Sequence, residues 1–299
     1  MTFIMIDELR TFIAVVEYNS FTKAAENINL SQASVSLHIK HLEQYFNTIL
    51  VQRSVKQKNI YITESGHLLY ERSKQITKLL DDTKNDLMYY EHMVKGRLRI
   101  GASFTIGEYL LPDFLGKFTK TYPDLELEIT IENTQSICER VKNFQIDLGL
   151  VEGTVPSSSL TIEHFYKDIM KIAVPYNHSL TNKKFSMDNL QNQTWITREI
   201  GSGTREYLML FLSNNNISPK NFIVFGSNYA VKEAVRNNLG ITFISSLVTE
   251  ASATSKELSV IETGQTYYRS FSYVLQKGII PSRGTVVFID MLKSYMKSK

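Results

Sequence analysis

The sequence predicts an α/β protein in three parts: an N-terminal winged helix-turn-helix, a long dimerisation helix, and a two-lobed α/β domain. Three observations carry that prediction. Two amphipathic helical segments before residue 47 are separated by only a few residues and followed by short β-like runs around a basic turn. A helical run of about 30 residues then carries apolar side chains spaced by sevens. From Gly96 onward, strand and helix patterns alternate.

The first segment, Asp7 to Tyr18, has the helical spacing Leu9, Phe12, Ile13, Val16. Ser20 is placed to cap a second helix over Phe21 to Ile28, and Ser31 a third, because a side-chain oxygen there can accept from the unpaired N–H groups of the first turn. In SQASVSLHIKHLEQYF, residues 31 to 46, Val35, Ile39, Leu42 and Phe46 form one stripe at i, i+4, i+7 and i+11 and are expected to pack. The gap between the second and third helices is too short for independent packing, so the two form a helix-turn-helix, with Ala24 and Ala25 suiting a tight crossing. After Phe46, LVQRSVKQKNIYIT reads as two short strands around Lys56-Gln57-Lys58, a wing.

The outward side of the third helix carries Gln32, Ser36 and Lys40 and very little acid. A merely solvated face mixes glutamate with lysine at i,i+4, whereas hydroxyls and an amide donate and accept toward base edges. Residues 20 to 62 hold five basic residues against Glu26 and Glu43, although the whole chain is only +3. Local positive charge of this kind suits a phosphate backbone rather than a membrane. The docking geometry of such motifs turns Gln32, Ser36 and Lys40 toward DNA, with Arg53 and Lys56 of the wing on phosphate, and Thr22, Lys23, Ser31, Ala33 and Leu37 of the same two helices and their turn complete the DNA-facing candidates. His38 and His41 are equally open to a DNA-facing role and to none.

Thr63 caps the long helix, expected to run to about Val94, with Leu69, Ile76, Thr83 and Tyr90 at intervals of seven and Leu80, Leu87 and Val94 four residues after the last three. Such a helix cannot cover its own seam, so it should pair with a second copy. Beyond it, RLRIGA, LELEITI and IDLGLVEG read as strands, with helices over Gly107 to Tyr122 and Gln135 to Asn143. A second set follows, with TWITRE, FIVFGS and GITFIS as strands, before YYRSFSYVLQK and a helix over Arg283 to Lys297 return to the first. This is doubly wound α/β with a mostly parallel sheet expected. The boundaries are 1–62 for the DNA-binding domain, 63–95 for the linker helix and 96–299 for the third part. Within that part, lobe I is about 96–163 and 266–299, and lobe II about 164–265.

Composition narrows the function. The chain has 299 residues, 43% hydrophobic and 21% charged, and one cysteine, enough for two or three domains and excluding a disulfide framework or a cysteine metal site. Cys138 reads as a buried filler. No basic leader, long apolar leader or membrane-length run is present, so a cytoplasmic location without membrane association is expected. HExxH, GxSxG and P-loop patterns are absent, so neither catalytic residues nor a metal or cofactor is assigned. An enzyme or a solute-binding protein working through the cleft is the alternative reading, and only the cleft favours it.

GSGTRE, residues 201 to 206, follows a strand and opens a helix. It lacks the third glycine of a dinucleotide fingerprint and no acidic residue follows the next strand, so NAD is not expected. What it offers is an anion site: N–H groups at a helix start with Ser202 and Thr204 hydroxyls. Ser103, Phe104 and Thr105 end the first α/β strand, also before a helix. Hydroxyls at two helix starts, with no obligatory cation, suit a small carboxylate, sulfate or phosphate ester. Arg205 either contributes or points to solvent. Glu152, on the same rim, repels an anion or accepts from an amine or hydroxyl.

SFTKAAENINLSQASVSLHIKHLEQYF, with Arg53 and Thr63-Glu64-Ser65-Gly66 after it, resembles the N-terminal module of the LysR-type transcriptional regulators. IGASFTIGEYLLP, IDLGLVEG, GSGTRE and the run from Ala230 to Ile241 are similar to that family's effector-binding domain, especially in its sulfur-metabolism and carbon-fixation branches. Ala33 stands where the family often has proline, Val51 where it often has phenylalanine, and Leu37 where arginine is frequent. The resemblance implies a two-lobed domain like periplasmic binding proteins, with Ser103, Phe104, Thr105, Glu152 and Gly201 to Thr204 lining the effector cleft. It implies promoter DNA, a small anionic metabolite and a second copy as partners, a dimer of dimers as the assembly, and RNA polymerase as a further candidate partner.

Overall fold

Helices α1 (Ile6–Tyr18), α2 (Phe21–Asn27) and α3 (Gln32–Phe46) start where hydroxyl caps permit. Ser20 Oγ accepts from the Lys23 N–H and Ser31 Oγ from the Ser34 N–H, and α3 stops at Asn47 in the left-handed conformation. In this computed structural model, residues 6–53, 60–88, 94–155, 158–181 and 184–298 are described, and the chain divides into two units, residues 1–90 and 91–299. Phe12, Val15, Ala24, Val35, Ile39 and Leu42 close the core of the first. Phe46 does not join them: it is 43% exposed and edge-on to Tyr45. The helix ends at that residue, and its ring lies outside the core cluster that the rest of the stripe joins.

The wing is an antiparallel pair, β1 (Val51–Arg53) with β2 (Ile60–Ile62), Val51 opposite Ile62. The turn holding Lys56 and the Arg53 side chain lie outside the described residues. Thr63 Oγ1 accepts from the Gly66 N–H and caps α4 (Glu64–Met88). The expected continuation to Val94 crosses residues 89–93, which are not described. Leu69 of the expected seam belongs instead to the first unit's core, beside α1, while Ile76 and Leu80 are each 44% exposed.

The second unit begins with β3 (Gly96–Ser103), followed by one π turn (Ile106–Leu110) leading into α5 (Leu111–Thr121). β4 (Leu125–Glu132), α6 (Thr134–Lys142) and β5 (Leu148–Glu152) complete a parallel set in the order β4-β3-β5. β6 (Leu160–Pro175) then runs sixteen residues without a break. It leads into β7 (Thr194–Arg198), α7 (Gly203–Asn214), β8 (Asn221–Phe225), α8 (Asn228–Arg236), β9 (Thr242–Ser245), α9 (Ser246–Thr254) and β10 (Leu258–Ile261). β11 (Tyr267–Gln276) returns, and α10 (Arg283–Lys297) packs Phe288 and Leu292 into the first lobe beside Phe114 and Phe118.

The sheet is not mostly parallel. β11 pairs antiparallel along its whole length with Leu160 to Met170 of β6, β11 pairs antiparallel with β5, and β9 and β10 both pair antiparallel with β6. The two long strands have to run in opposite directions because one carries the chain out to the second lobe and the other brings it back. In lobe II, β7 and β8 are parallel, with Trp195 packing toward α7 and Ile196 toward α8. The parallel βαβ units thus lie at either end of a shared antiparallel pair, and the ends of β3, β5 and β7 meet between the lobes.

Candidate functional site

In the first unit, packing turns one face of α3 inward and the other outward. Gln32, Ala33, Leu37, Lys40 and Gln44 are exposed and Ser36 is partly so, while Val35, Ile39 and Leu42 hold the back of the helix in the core. Thr22 and Lys23 are exposed at the start of α2. His38 and His41 turn the other way. Nδ1 of His38 lies 2.8 Å from Thr11 Oγ1, and Nδ1 of His41 lies 3.0 Å from the buried Glu8 carboxylate. Both histidines therefore anchor α3 to α1. Glu43 fixes the wing, since its Oε1 accepts from the N–H groups of Leu50 and Val51 at 2.9 and 3.1 Å.

In the second unit, Ser103, Thr105, Glu152 and Thr204 come together as the sequence suggests, but all four are buried and already hydrogen-bonded. Ser103 Oγ and Thr105 Oγ1 both donate to the Glu152 carboxylate. At the centre sits Arg269 of β11, 1% exposed and outside every motif that the sequence offers. Its Nε donates to Asp168 at 2.6 Å, and its Nη1 and Nη2 donate to Thr204 and Thr105 at 3.0 Å each. Glu152 lies 3.7 Å from the same guanidinium. The expectation of hydroxyls without a cation is thus corrected: a carboxylate of the chain itself accepts from two of the hydroxyls, and a buried guanidinium lies beside it. Burial pushes the Asp168 carboxyl upward, against the pull of Arg269 and a hydrogen bond from Ser245.

The network continues through Asn228, whose Nδ2 donates to Thr105 and whose Oδ1 accepts from Arg198 at 2.9 Å. Arg198 is 1% exposed, lies over the Phe104 ring at 4.2 Å and donates twice to Glu199. Glu199 also accepts from Asn133 of lobe I. The chain therefore stitches its two lobes with charged and amide groups at the strand ends, where open α/β sheets bind ligands. The interior alternation of Tyr267, Arg269, Phe271 and Tyr273 along β11 was a readable signal that Arg269 points inward. No local pattern named its partners.

The GSG loop has a packing role. A Cβ on Gly203 would sit 2.1 Å from the carbonyl oxygen of Glu152, and Gly201 has φ +90. Glycine lets the start of α7 touch the end of β5, and the bare backbone serves interlobe contact.

Beside this contact lies a cavity of about 610 Å³, lined by Thr134, Gln135, Cys138, Glu139 and Lys142 of α6, by Thr154 and Val155, and by residues 200–203, 205, 206 and 209. Gly201, Ser202 and Gly203 of the expected set face it. Ser103, Phe104, Thr105, Glu152 and Thr204 are not among its lining residues. The two helices that begin on it are α6 and α7, rather than α7 and the helix following Thr105. Ser202 precedes α7 without making a side-chain cap bond, and Gln135 donates from its backbone to Gly201 O at 3.1 Å. Arg205 lines the cavity and donates from Nη1 to Arg198 O. Burial pushes the Cys138 thiol up to about 11, so it remains a thiol at neutral pH and fits the filler role.

No described helix is long and apolar enough to cross a membrane. The model of the bacterial regulatory helix-turn-helix protein, lysR family, matches residues 6–67, and that of the LysR substrate binding domain matches residues 92–297. The chain is 44% identical over 295 residues to the HTH-type transcriptional regulator CysL of Bacillus subtilis, covering 98% of both. It is 32% identical to the HTH-type transcriptional activator CmpR of Synechocystis, covering 95% of this chain and 93% of that one. Among solved structures, the CcmR regulatory domain of Synechocystis in complex with 2-PG superposes with TM-score 0.62 at 25% identity, over 68% of this chain and 98% of that one. Full-length OxyR from Pseudomonas aeruginosa has the same fold, with TM-score 0.75 at 16% identity over 98% and 96%.

Proposed function

The chain belongs to the LysR family of transcriptional regulators, and from that premise we propose that it binds operator DNA sequence-specifically and that a small anionic metabolite, held between its α/β lobes, sets its activity. The observation that carries the DNA half is the exposed polar face of α3, with Gln32, Ser36 and Lys40 outward while both neighbouring histidines face α1. Gln32 suits bidentate contact with adenine, and Lys40 with Arg53 and Lys56 suits phosphate.

For the metabolite, α6 and α7 start on one cavity with Gln135 and Ser202 in its wall and Lys142 and Arg205 around it. Helix starts favour negative charge. The CcmR regulatory domain, whose structure is a complex with 2-PG, supports a small ligand of this kind. Glu139 and Glu206 also line the cavity, so a ligand with a hydroxyl or amine beside its anionic group matches it best. The ligand acts by binding two lobe or subunit arrangements unequally. The exposed Ile76 and Leu80 of α4 supply a seam for the dimer, and a dimer of dimers working in the cytoplasm completes the reading.

Selection of bound duplexes from a random library by the full-length protein, followed by footprinting, should give a partly palindromic site. Gln32→Ala should alter preference at one base pair per half-site by ~1–3 kcal/mol. Equal weakening on every sequence would refute base reading by Gln32. A thermal-shift screen of small phosphorylated and carboxylated metabolites, repeated on Ser202→Ala and Thr204→Val, should give a hit whose affinity falls in Ser202→Ala. A hit unaffected by both substitutions places the ligand elsewhere.

A further inference from the structure

The exposed face of α3 is not polar throughout. Leu37 is 50% exposed, and Ala33, one turn before it, is exposed as well. On a helix these two positions lie side by side, so together they make a small apolar step. Gln32 and Ser36 flank it on one side, and Lys40 stands on the following turn. A lone exposed leucine means little in itself, but its position here is informative. Leu37 is the sixth residue of the second helix of the helix-turn-helix, within the two turns that meet base edges when such a helix enters the major groove. The helix is held firmly in that pose, because Val35, Ile39 and Leu42 behind it are at most 3% exposed.

Two residues are far too small a patch for a protein partner, which needs roughly 800 Å² per side. They match the size of one base-pair edge. The apolar group in the major groove is the C5-methyl of thymine, and the other base-edge groups there are hydrogen-bond donors or acceptors. Leu37 can neither donate nor accept. An arginine at the same position would favour guanine, through its O6 and N7.

We infer that Leu37, supported by Ala33, reads a thymine methyl group in each operator half-site, so that this chain prefers thymine at the base pair that Leu37 faces. The inference rests on the proposed DNA-binding function and adds the base and the atom that are recognised.

The test uses full-length protein and the best duplex from the random-library selection, synthesised with either thymine or uracil. Uracil removes the methyl and keeps the O4 acceptor. Gel shifts should show wild-type protein binding the uracil duplex more weakly, by about fourfold for each methyl contacted, with single replacements placing the loss at one position per half-site. Leu37→Ala, a change at an exposed site, should bind both duplexes alike, while Gln32→Ala should still discriminate between them. Leu37→Arg should move the preferred base at that position from thymine to guanine. Equal wild-type binding to both duplexes overturns the inference, as does full discrimination in Leu37→Ala, which would mean that the methyl acts through DNA shape. Failure to enrich any duplex would overturn the DNA-binding reading itself, and this inference with it.

Discussion

Arg269 and Asp168 face each other in register across the antiparallel strands β11 and β6, with Nε donating to Oδ2 over 2.6 Å and neither side chain more than 1% exposed. The same guanidinium reaches Thr105 in lobe I and Thr204 in lobe II. Removing one partner of a buried pair leaves an uncompensated charge, which costs about 3–5 kcal/mol. Arg269→Ala should therefore unfold the full chain at markedly lower denaturant. Arg269→Lys should recover only part of the loss, because an ammonium cannot span the three partners that the fork reaches. Equal stability of Arg269→Ala and wild type in urea would contradict the network.

Two carboxyls of this region should titrate with opposite signs. Burial raises Asp168 above its ordinary 3.8. A raised carboxyl binds its proton more tightly in the folded state, so its contribution is present below the ordinary value and lost as pH rises through the raised one. Burial also pushes Glu199 upward, but hydrogen bonds from Arg198, its own backbone and Asn133, with the Arg198 charge, bring it below its ordinary 4.5. Its contribution is present above that value and lost as pH falls through the lowered one. The stability of wild type relative to Asp168→Asn should therefore fall with rising pH, and relative to Glu199→Gln with falling pH. Parallel denaturation curves across pH for either pair would refute the corresponding assignment.

Gly203→Ala puts a methyl against the Glu152 carbonyl, with no flexible side chain able to give way. Overpacking of this kind typically costs 1–3 kcal/mol, and the start of α7 should move away from β5, weakening any ligand held in the adjacent cavity. Gly116, inside α5, has nothing within 4 Å of an added Cβ. Gly116→Ala should accordingly stabilise by about 0.5–1 kcal/mol. Thermal melts of the two variants should shift in opposite directions, and a harmless Gly203→Ala would mean that the lobes do not meet there.

Glu43→Ala should leave the Leu50 and Val51 N–H groups without their acceptor, costing on the order of 1–3 kcal/mol. Because the wing contributes phosphate contacts in the proposed complex, binding should weaken on specific and nonspecific DNA alike. A change confined to sequence preference would show that Glu43 acts on α3 and not on the wing.

Much of the architecture is local and therefore legible in the sequence. Ser20, Ser31 and Thr63 cap helices because a hydroxyl there meets N–H groups two or three residues on, and the 3.6-residue apolar period of α3 marks which side is buried whatever lies opposite. The outward Gln32 and Lys40, and the strand ends at Ser103 and Glu152, were readable for the same reason.

Tertiary structure decided what local pattern cannot carry. The hydroxyls of Ser103 and Thr105 are placed by sequence at a strand end, but whether they meet a ligand or Glu152 depends on a residue 49 positions from Ser103. Arg269 balances that carboxylate only because β11 returns beside β6, 101 residues after Asp168. Likewise, His38 and His41 turn to α1 because Thr11 and Glu8 are there to receive them, and Phe46, the last residue of α3, stays outside the core that Val35, Ile39 and Leu42 enter. Periodicity and capping act within a few residues along the chain. A buried charge is governed by which distant group the fold brings within about 3–4 Å to replace lost water, and that distance is set only once the strands have paired.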